Sequence, residues 1–189
     1  MRYPKDHKDQ VRQKLLFESA RHAKKHGFAA SGVDILAGAA GLTTGSLYKH
    51  FGSKDALFSA LVKADLAQTV ARFANIKPGD DEAMLKALKS YLSMSHVGAP
   101  EAGCPVPALA ADVARASDDV RAVFEAGMIN LKDSLKGALG SDSAAWTLIA
   151  QNVGAVMIAR AMQHESVKKE VINAVRASAE RLITDTPGD

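Results

Sequence analysis

SGVDILAGAAGLTTGSLYKHFGSK, residues 31 to 54, is the stretch whose reading decides the fold of this chain. Val33, Ile35, Leu36, Ala39 and Ala40 put small apolar groups on one side of a helix, and Ser31 with Asp34 offers N-terminal capping chemistry. A first short helix is therefore predicted from about Val33 to Ala40. Gly41 offers the backbone freedom that ends a helix, Leu42 plugs the corner, and the Thr43 hydroxyl caps the next start. Two short helices joined by so tight a corner make a helix-turn-helix.

The second helix, about Thr44 to His50, has an unusual face. Thr44, Gly45, Ser46, Tyr48 and Lys49 are small or polar, and only Leu47 and Phe51 are plainly core-facing. Small side chains let a backbone approach a groove floor, and hydroxyl, amide and ammonium groups match the acceptors of base edges and phosphates. Ser53 then caps a third helix start, and Lys54 occupies its first position, where the helix dipole disfavours a cation. A phosphate held by the exposed amides and by Lys54 together would account for that lysine.

At these residues a resemblance becomes specific. AGLTTGSLYKHFGSKDALF resembles the signature of the tetracycline-repressor (TetR) family of bacterial one-component regulators, and the likeness runs from about Leu15 to Leu61. The Gly-Leu-Thr-Thr-Gly turn, the cluster Leu47, Tyr48, His50 and Phe51, and the helix start at Ser53, Lys54 and Leu57 carry it together. Gly38 departs from the polar residue usual there. The resemblance implies an N-terminal helix-turn-helix head and a helical ligand-binding, dimerising domain. It also implies base contacts from the Thr44 to Lys49 face and phosphate contacts from Tyr48, His50 and Lys54. The expected DNA-binding set is thus Thr43, Thr44, Gly45, Ser46, Tyr48, Lys49, His50 and Lys54.

With 189 residues and 47% apolar content, the chain is long and apolar enough for a real core. The net charge is only +3, yet residues 1 to 55 hold ten Lys and Arg against five Asp and Glu, so the basic excess lies with the helix-turn-helix. One cysteine rules out an intramolecular disulfide framework, and MRYPKDHKD lacks the apolar core of a signal peptide. No apolar run reaches the roughly 18 residues of a membrane span, because Gln151 and Arg160 interrupt the best one. A cytoplasmic location with no membrane partner is expected.

The whole chain reads as all-α, with about nine helices. Met1 to Lys5 form a basic, Pro-containing lead-in, either a backbone-tracking arm or a frayed terminus. Val11, Leu15, Leu16, Ala20 and Ala23 mark a helix from about His7 to His26, with Phe17 and Phe28 expected in the head's core. The pattern from Leu57 to Phe73 predicts one long helix leaving the head, broken by Pro78 and Gly79. These readings divide the chain into a DNA-binding domain, 1–53, and a ligand-binding and dimerisation domain, 54–189.

In the second part, Asp80 to His96 reads as one helix, Val97 to Pro107 as an irregular loop and Ala108 to Ala116 as a helix. A further helix opens at Asp118 and runs through Leu139, and two more cover about Ser141 to His164 and Ser166 to Thr184. Residues after Thr184 are expected to be disordered. Met and aromatic residues at helical spacing suit either a core or an adaptable cavity wall, so Met84, Leu88, Tyr91, Phe124 and Met128 are candidate ligand contacts. Cys104 reads either as a modifiable thiol sensor or as a small buried hydrophobe. The segment Ser141 to His164 is apolar nearly all round. It therefore needs cover from a partner copy or from the last helix, and the expected dimer interface is Trp146, Ile149, Val153, Val156, Met157, Val171 and Val175.

Catalytic chemistry is thinly represented. No histidine falls at metal-ligand spacing with Cys104 or a carboxylate, and no Gly-rich phosphate loop with its lysine occurs. No metal, cofactor or enzymatic activity is expected. Two functions remain: a homodimeric regulator, in the resemblance a repressor, that binds a palindromic double-stranded DNA operator and is released by a small-molecule or thiol-modifying effector; or a helical small-molecule binding or enzymatic protein with an idle head.

Overall fold

A computed structural model describes residues 5–184, with side chains from His7 onward. The expectations for the Met1–Lys5 arm and the tail beyond Thr184 therefore fall outside the described residues, save that Lys5 begins the first helix. Every regular element is helical among these residues: α1 (Lys5–His26), α2 (Val33–Ala39), α3 (Thr44–Phe51), α4 (Lys54–Phe73), α5 (Asp81–Tyr91), α6 (Met94–Gly98), α7 (Val106–Val113), α8 (Asp118–Leu139), α9 (Asp142–Ala161) and α10 (Glu165–Thr184). A single 3-10 turn covers Pro100–Ala102.

The starts and stops of the first helices follow local chemistry. Gly27, Gly41 and Gly52 take left-handed backbone with φ of 85°, 67° and 80°, and each ends a helix. The Thr43 hydroxyl accepts from the Ser46 N–H at 3.2 Å, and the Ser53 hydroxyl accepts from the Ala56 N–H at 2.9 Å. Ser31 departs from its expected capping role. The N-cap of α2 is Gly32, without a side-chain bond, and the buried Ser31 hydroxyl donates instead to the Gly27 carbonyl at 2.7 Å. There it satisfies a carbonyl freed at the end of α1.

Leu15, Ala20 and Ala23 of α1 meet Leu36, Leu47, Leu57 and Phe58 in a buried core. Phe28 and Phe58 stack with ring centroids 3.9 Å apart. The buried Ser19 hydroxyl donates to the Leu36 carbonyl at 3.0 Å, tying α1 to α2. Phe17, expected in this core, is 57% exposed and lies beside Arg21. The helical turn that carries Leu15 and Ser19 inward carries Phe17 outward.

The region read as one helix from Asp80 to His96 is two. Helix α5 stops at Tyr91 and Ser93 caps α6, which accounts for ten helices where about nine were expected. Such a break frees backbone carbonyls: His96 Nδ1 meets the Tyr91 carbonyl and Arg176 donates to the Leu92 carbonyl, while Arg160 donates to the His96 and Val97 carbonyls at the end of α6. The expected loop Val97–Pro107 is also more ordered than its prolines suggested, because α7 begins at Val106, where a proline near a helix start costs no hydrogen bond.

Helix α8 lies along α4 so closely that a Cβ on Gly127 would sit 2.5 Å from Leu66. Helices α9 and α10 pack on each other and against α8 and α5 respectively. No helix among the described residues is long and apolar enough to cross a membrane.

Candidate functional site

The candidate recognition face comes first from α3. Leu47 alone of this helix is fully buried, and it anchors α3 against the core. Thr43, Gly45 and Lys49 are exposed, Tyr48 is 46% exposed, and Thr44 and Ser46 are half-buried. Gly45 is not held as glycine by its own fold. Its φ is not positive, and a Cβ there would find only the Thr43 hydroxyl, 3.9 Å away.

His50 is half-buried at the end of α3, with Nδ1 unpaired. Its pKa is lowered, first by burial and then by Lys8, Lys49 and Arg12, with Asp9 opposing. The ring is thus neutral near pH 7 while three cations surround it. Lys8 and Arg12 were not picked out in the sequence, although their four-residue spacing puts them on one face of α1. Arg12 also stands over the Phe51 ring at 4.7 Å, which fixes its stem beside α3. Lys54 has intramolecular partners of its own, since its ammonium is 5.0 Å from the Phe28 ring centroid and 3.5 Å from the Ala29 carbonyl.

A second site lies farther along α4. A cavity of about 590 Å³ opens between the end of α4, α5 and the connection that carries His96, Gly103 and Cys104. It shares Thr69, Phe73, Tyr91 and Cys104 with an inner chamber of about 40 Å³, walled by Met84, Leu88 and residues of α8 and α9. Met84, Leu88, Tyr91 and Cys104 therefore line one connected space. Phe124 and Met128 do not reach either space. The tight α4–α8 crossing at Gly127 holds that part of α8 against α4, and Leu131 and Leu135, farther along α8, form the cavity wall instead.

Burial pushes the Cys104 thiol up from its ordinary value, although Val106, Thr69 and Tyr91 oppose the shift through hydrogen bonding. A protonated, enclosed sulfur is a poor nucleophile. Burial likewise raises Tyr91 well above the usual phenol range, so its hydroxyl keeps its proton. His96 bridges the cavity floor: Nδ1 lies 2.7 Å from the Tyr91 carbonyl, and Nε2 accepts the Cys104 N–H at 3.2 Å. That pair of bonds requires the neutral ring with its proton on Nδ1. A Cβ on Gly103 would sit 2.5 Å from His96 Nε2, so only glycine lets the chain pass there.

This cavity wall touches α1 directly. The nearly enclosed Lys24 ammonium donates to the Gly103 carbonyl at 3.1 Å and lies 2.8 Å from the Asp65 carboxylate of α4. Nearby, the Phe28 N–H donates to Asp112 of α7 at 2.8 Å. None of these long-range links was legible in the sequence.

The expected dimer residues divide. Trp146 and Met157 are 41% and 42% exposed, with the half-buried Val153 between them at helical spacing. Ile158 and Val167 extend the exposed apolar area. Ile149 and Val156, by contrast, are buried within the subunit, and Val171 and Val175 are half-buried. The two buried residues are corrected from interface to core, because they fall on the side of α9 turned toward the rest of the subunit. Among the described residues no three His, Cys, Asp or Glu side chains gather as a metal site would require.

Comparison with known proteins agrees with the fold. Residues 16–61 match the family model described as bacterial regulatory proteins, tetR family. No curated protein matches the chain. Among solved structures, E. coli NemR in its reduced form is 24% identical, with 95% of this chain and 100% of that chain covered at a TM-score of 0.79. A TetR transcriptional regulator from Chloroflexus aurantiacus is 20% identical, covering 96% and 98%, with a TM-score of 0.77. A TetR-family regulator from Cytophaga hutchinsonii is 21% identical, covering 100% of both chains, with a TM-score of 0.76. At these identities the structural likeness is one of fold.

Proposed function

Starting from the premise that this chain is a TetR-family transcriptional regulator with a helix-turn-helix head, we propose that it is a homodimeric repressor released from a palindromic operator by a small-molecule effector. The observation that carries the reading is the face of α3, where Thr44, Gly45 and Ser46 are small, Tyr48 is the one large exposed aromatic, and Lys8, Arg12 and Lys49 gather beside His50. Residues 1–53 read DNA and residues 54–189 bind effector and partner. Thr44, Ser46 and Tyr48 meet base edges, while Lys8, Arg12, Lys49 and Lys54 meet phosphates. His50, neutral and half-buried, donates to a phosphate without adding charge. The protein works in the cytoplasm and catalyses no reaction.

Two copies associate through α9 and α10, where the exposed Trp146, Met157, Ile158 and Val167 and the half-buried Val153 gain cover from the same face of a partner. The heads then meet successive major grooves, about 34–36 Å apart or a multiple of that spacing. Release runs through the cavity. An effector that displaces Gly103 or Cys104 weakens the bond from Lys24, and so changes how α1 is held on α4. Equal affinity for the bound and released forms would shift nothing, so the effector must favour the form with Lys24 disengaged. Burial of Cys104 favours a non-covalent effector over thiol chemistry.

Fluorescence anisotropy against the duplex upstream of the chain's own coding region tests the reading. Six to ten phosphate contacts imply a loss of about 10³–10⁵ in affinity between 50 and 200 mM salt, with retention against random duplex. Binding that ignores salt, or that random duplex competes away equally, refutes operator recognition and favours the idle-head alternative.

A further inference from the structure

The cavity between α4, α5 and the His96–Cys104 connection specifies the charge and shape of what fills it. This inference rests on reading that cavity as the effector site. Its charged rim consists of Arg72, at the end of α4, and Lys86, on α5, and no described Asp or Glu joins the lining. Both cations are exposed, and neither forms an ion pair among the described residues. A cationic ligand would meet repulsion there, whereas a carboxylate would gain two charge-assisted donors, one of them a planar guanidinium fork.

Behind the rim the surface turns apolar, with Phe73 and Ile76 along one side. At the far end stand two buried polar groups, the Tyr91 hydroxyl, whose neighbour is the weakly bonding Cys104 thiol, and Asn152 Oδ1, which has no hydrogen-bond partner among the described residues. Tyr91 lines both the cavity and the inner chamber, and Asn152 lines the chamber. At about 40 Å³, the chamber admits a single small polar group. A hydroxyl satisfies both partners, because it accepts from the protonated phenol and donates to the amide oxygen.

We propose that the effector is an amphipathic carboxylate: its anionic head lies between Arg72 and Lys86, its apolar body along Phe73 and Ile76, and a hydroxyl at its far end meets Tyr91 and Asn152. Two kinds of group thus select it. The rim reads charge, and the chamber reads the hydroxyl.

Calorimetric titration of the full chain tests the assignment with 3-(4-hydroxyphenyl)propanoate and 10-hydroxydecanoate, each beside its amide and its deoxy acid. At least one hydroxy acid binds in the millimolar range or tighter, roughly tenfold or more ahead of its amide. The double variant Arg72→Ala/Lys86→Ala abolishes that preference while keeping the melting temperature, since both side chains are exposed. Tyr91→Phe abolishes the advantage over the deoxy acid and leaves the acid-over-amide preference intact. Equal binding of acid and amide, or no binding by either hydroxy acid, overturns the proposal. Anisotropy in the same samples separates the two ideas: a bound acid that leaves the operator complex intact sinks effector-driven release but not the anionic site, and release by the amides alone does the reverse.

Discussion

Gly45→Ala separates what α3 needs in order to fold from what it needs in order to read DNA. The backbone at Gly45 has no positive φ, and the added methyl would lie 3.9 Å from the Thr43 hydroxyl, an ordinary contact. Nothing within the subunit therefore opposes the substitution. Alanine in a helix is favoured over glycine by about 0.5–1 kcal/mol, chiefly because the unfolded chain has less freedom to lose. For a chain of this size, 1 kcal/mol moves the melting temperature by roughly 2–4 °C, so a rise of about 1–4 °C is expected by calorimetry. If the α3 backbone lies against a groove floor, the same methyl overpacks that contact by about 1–3 kcal/mol per head. With two heads in the proposed dimer, operator affinity measured by anisotropy falls at least about tenfold. A protein that melts higher and binds the operator as well as before would refute the close approach of α3. A lowered melting temperature would instead refute the geometry at Gly45.

Ser19→Ala strands the buried Leu36 carbonyl and should cost about 1–3 kcal/mol in urea denaturation; a cost near zero would mean that the bond does not tie α1 to α2. Lys24→Met removes one partner of a nearly enclosed ion pair, with an expected loss of about 3–5 kcal/mol that Asp65→Asn partly restores by removing the stranded charge. A second substitution that deepens the loss contradicts that explanation. His96 is held neutral, first by burial and then by Arg160, Arg72 and Lys24, although its bond to the Tyr91 carbonyl opposes them. Its folded pKa lies below the unfolded value of about 6.5, so the unfolded state binds more protons between the two; stability is full above that pH and falls as the solution is acidified. Melting temperatures from pH 8 to 5 should therefore fall less steeply for His96→Gln than for the wild type, with His22 and His50 supplying a residual slope of the same sign. Finally, Trp146→Glu with Met157→Glu charges the exposed stripe of α9 and should shift sedimentation from dimer to monomer without loss of helix content by circular dichroism; an unchanged dimer places the interface elsewhere.

The helix-turn-helix was legible in the sequence because its boundaries are set within a few residues. Thr43 and Ser53 cap helices through bonds to amides three residues ahead, and Gly41 and Gly52 end helices through their own backbone angles. The small and polar face of α3 was equally plain from residue type. Periodicity similarly gave the long helices, since α4, α8 and α10 each alternate apolar and polar residues at helical spacing. It failed on α9, where apolar residues circle the helix and no pattern tells Trp146 outside from Val156 inside. Only tertiary packing made that choice, as it turned Phe17 to solvent and drew Phe124 and Met128 away from the cavity.

The break between α5 and α6 belongs to the tertiary structure as well, because the Leu92 carbonyl it frees depends on Arg176, far away in the chain, and the end of α6 depends on Arg160. So does the meeting of Lys24 with Asp65 and Gly103, and with it the contact between the cavity wall and α1. Caps, turns and residue size act over one turn of helix and can be read in order. Which faces meet is decided by burial summed over the whole chain, and no short stretch contains that sum.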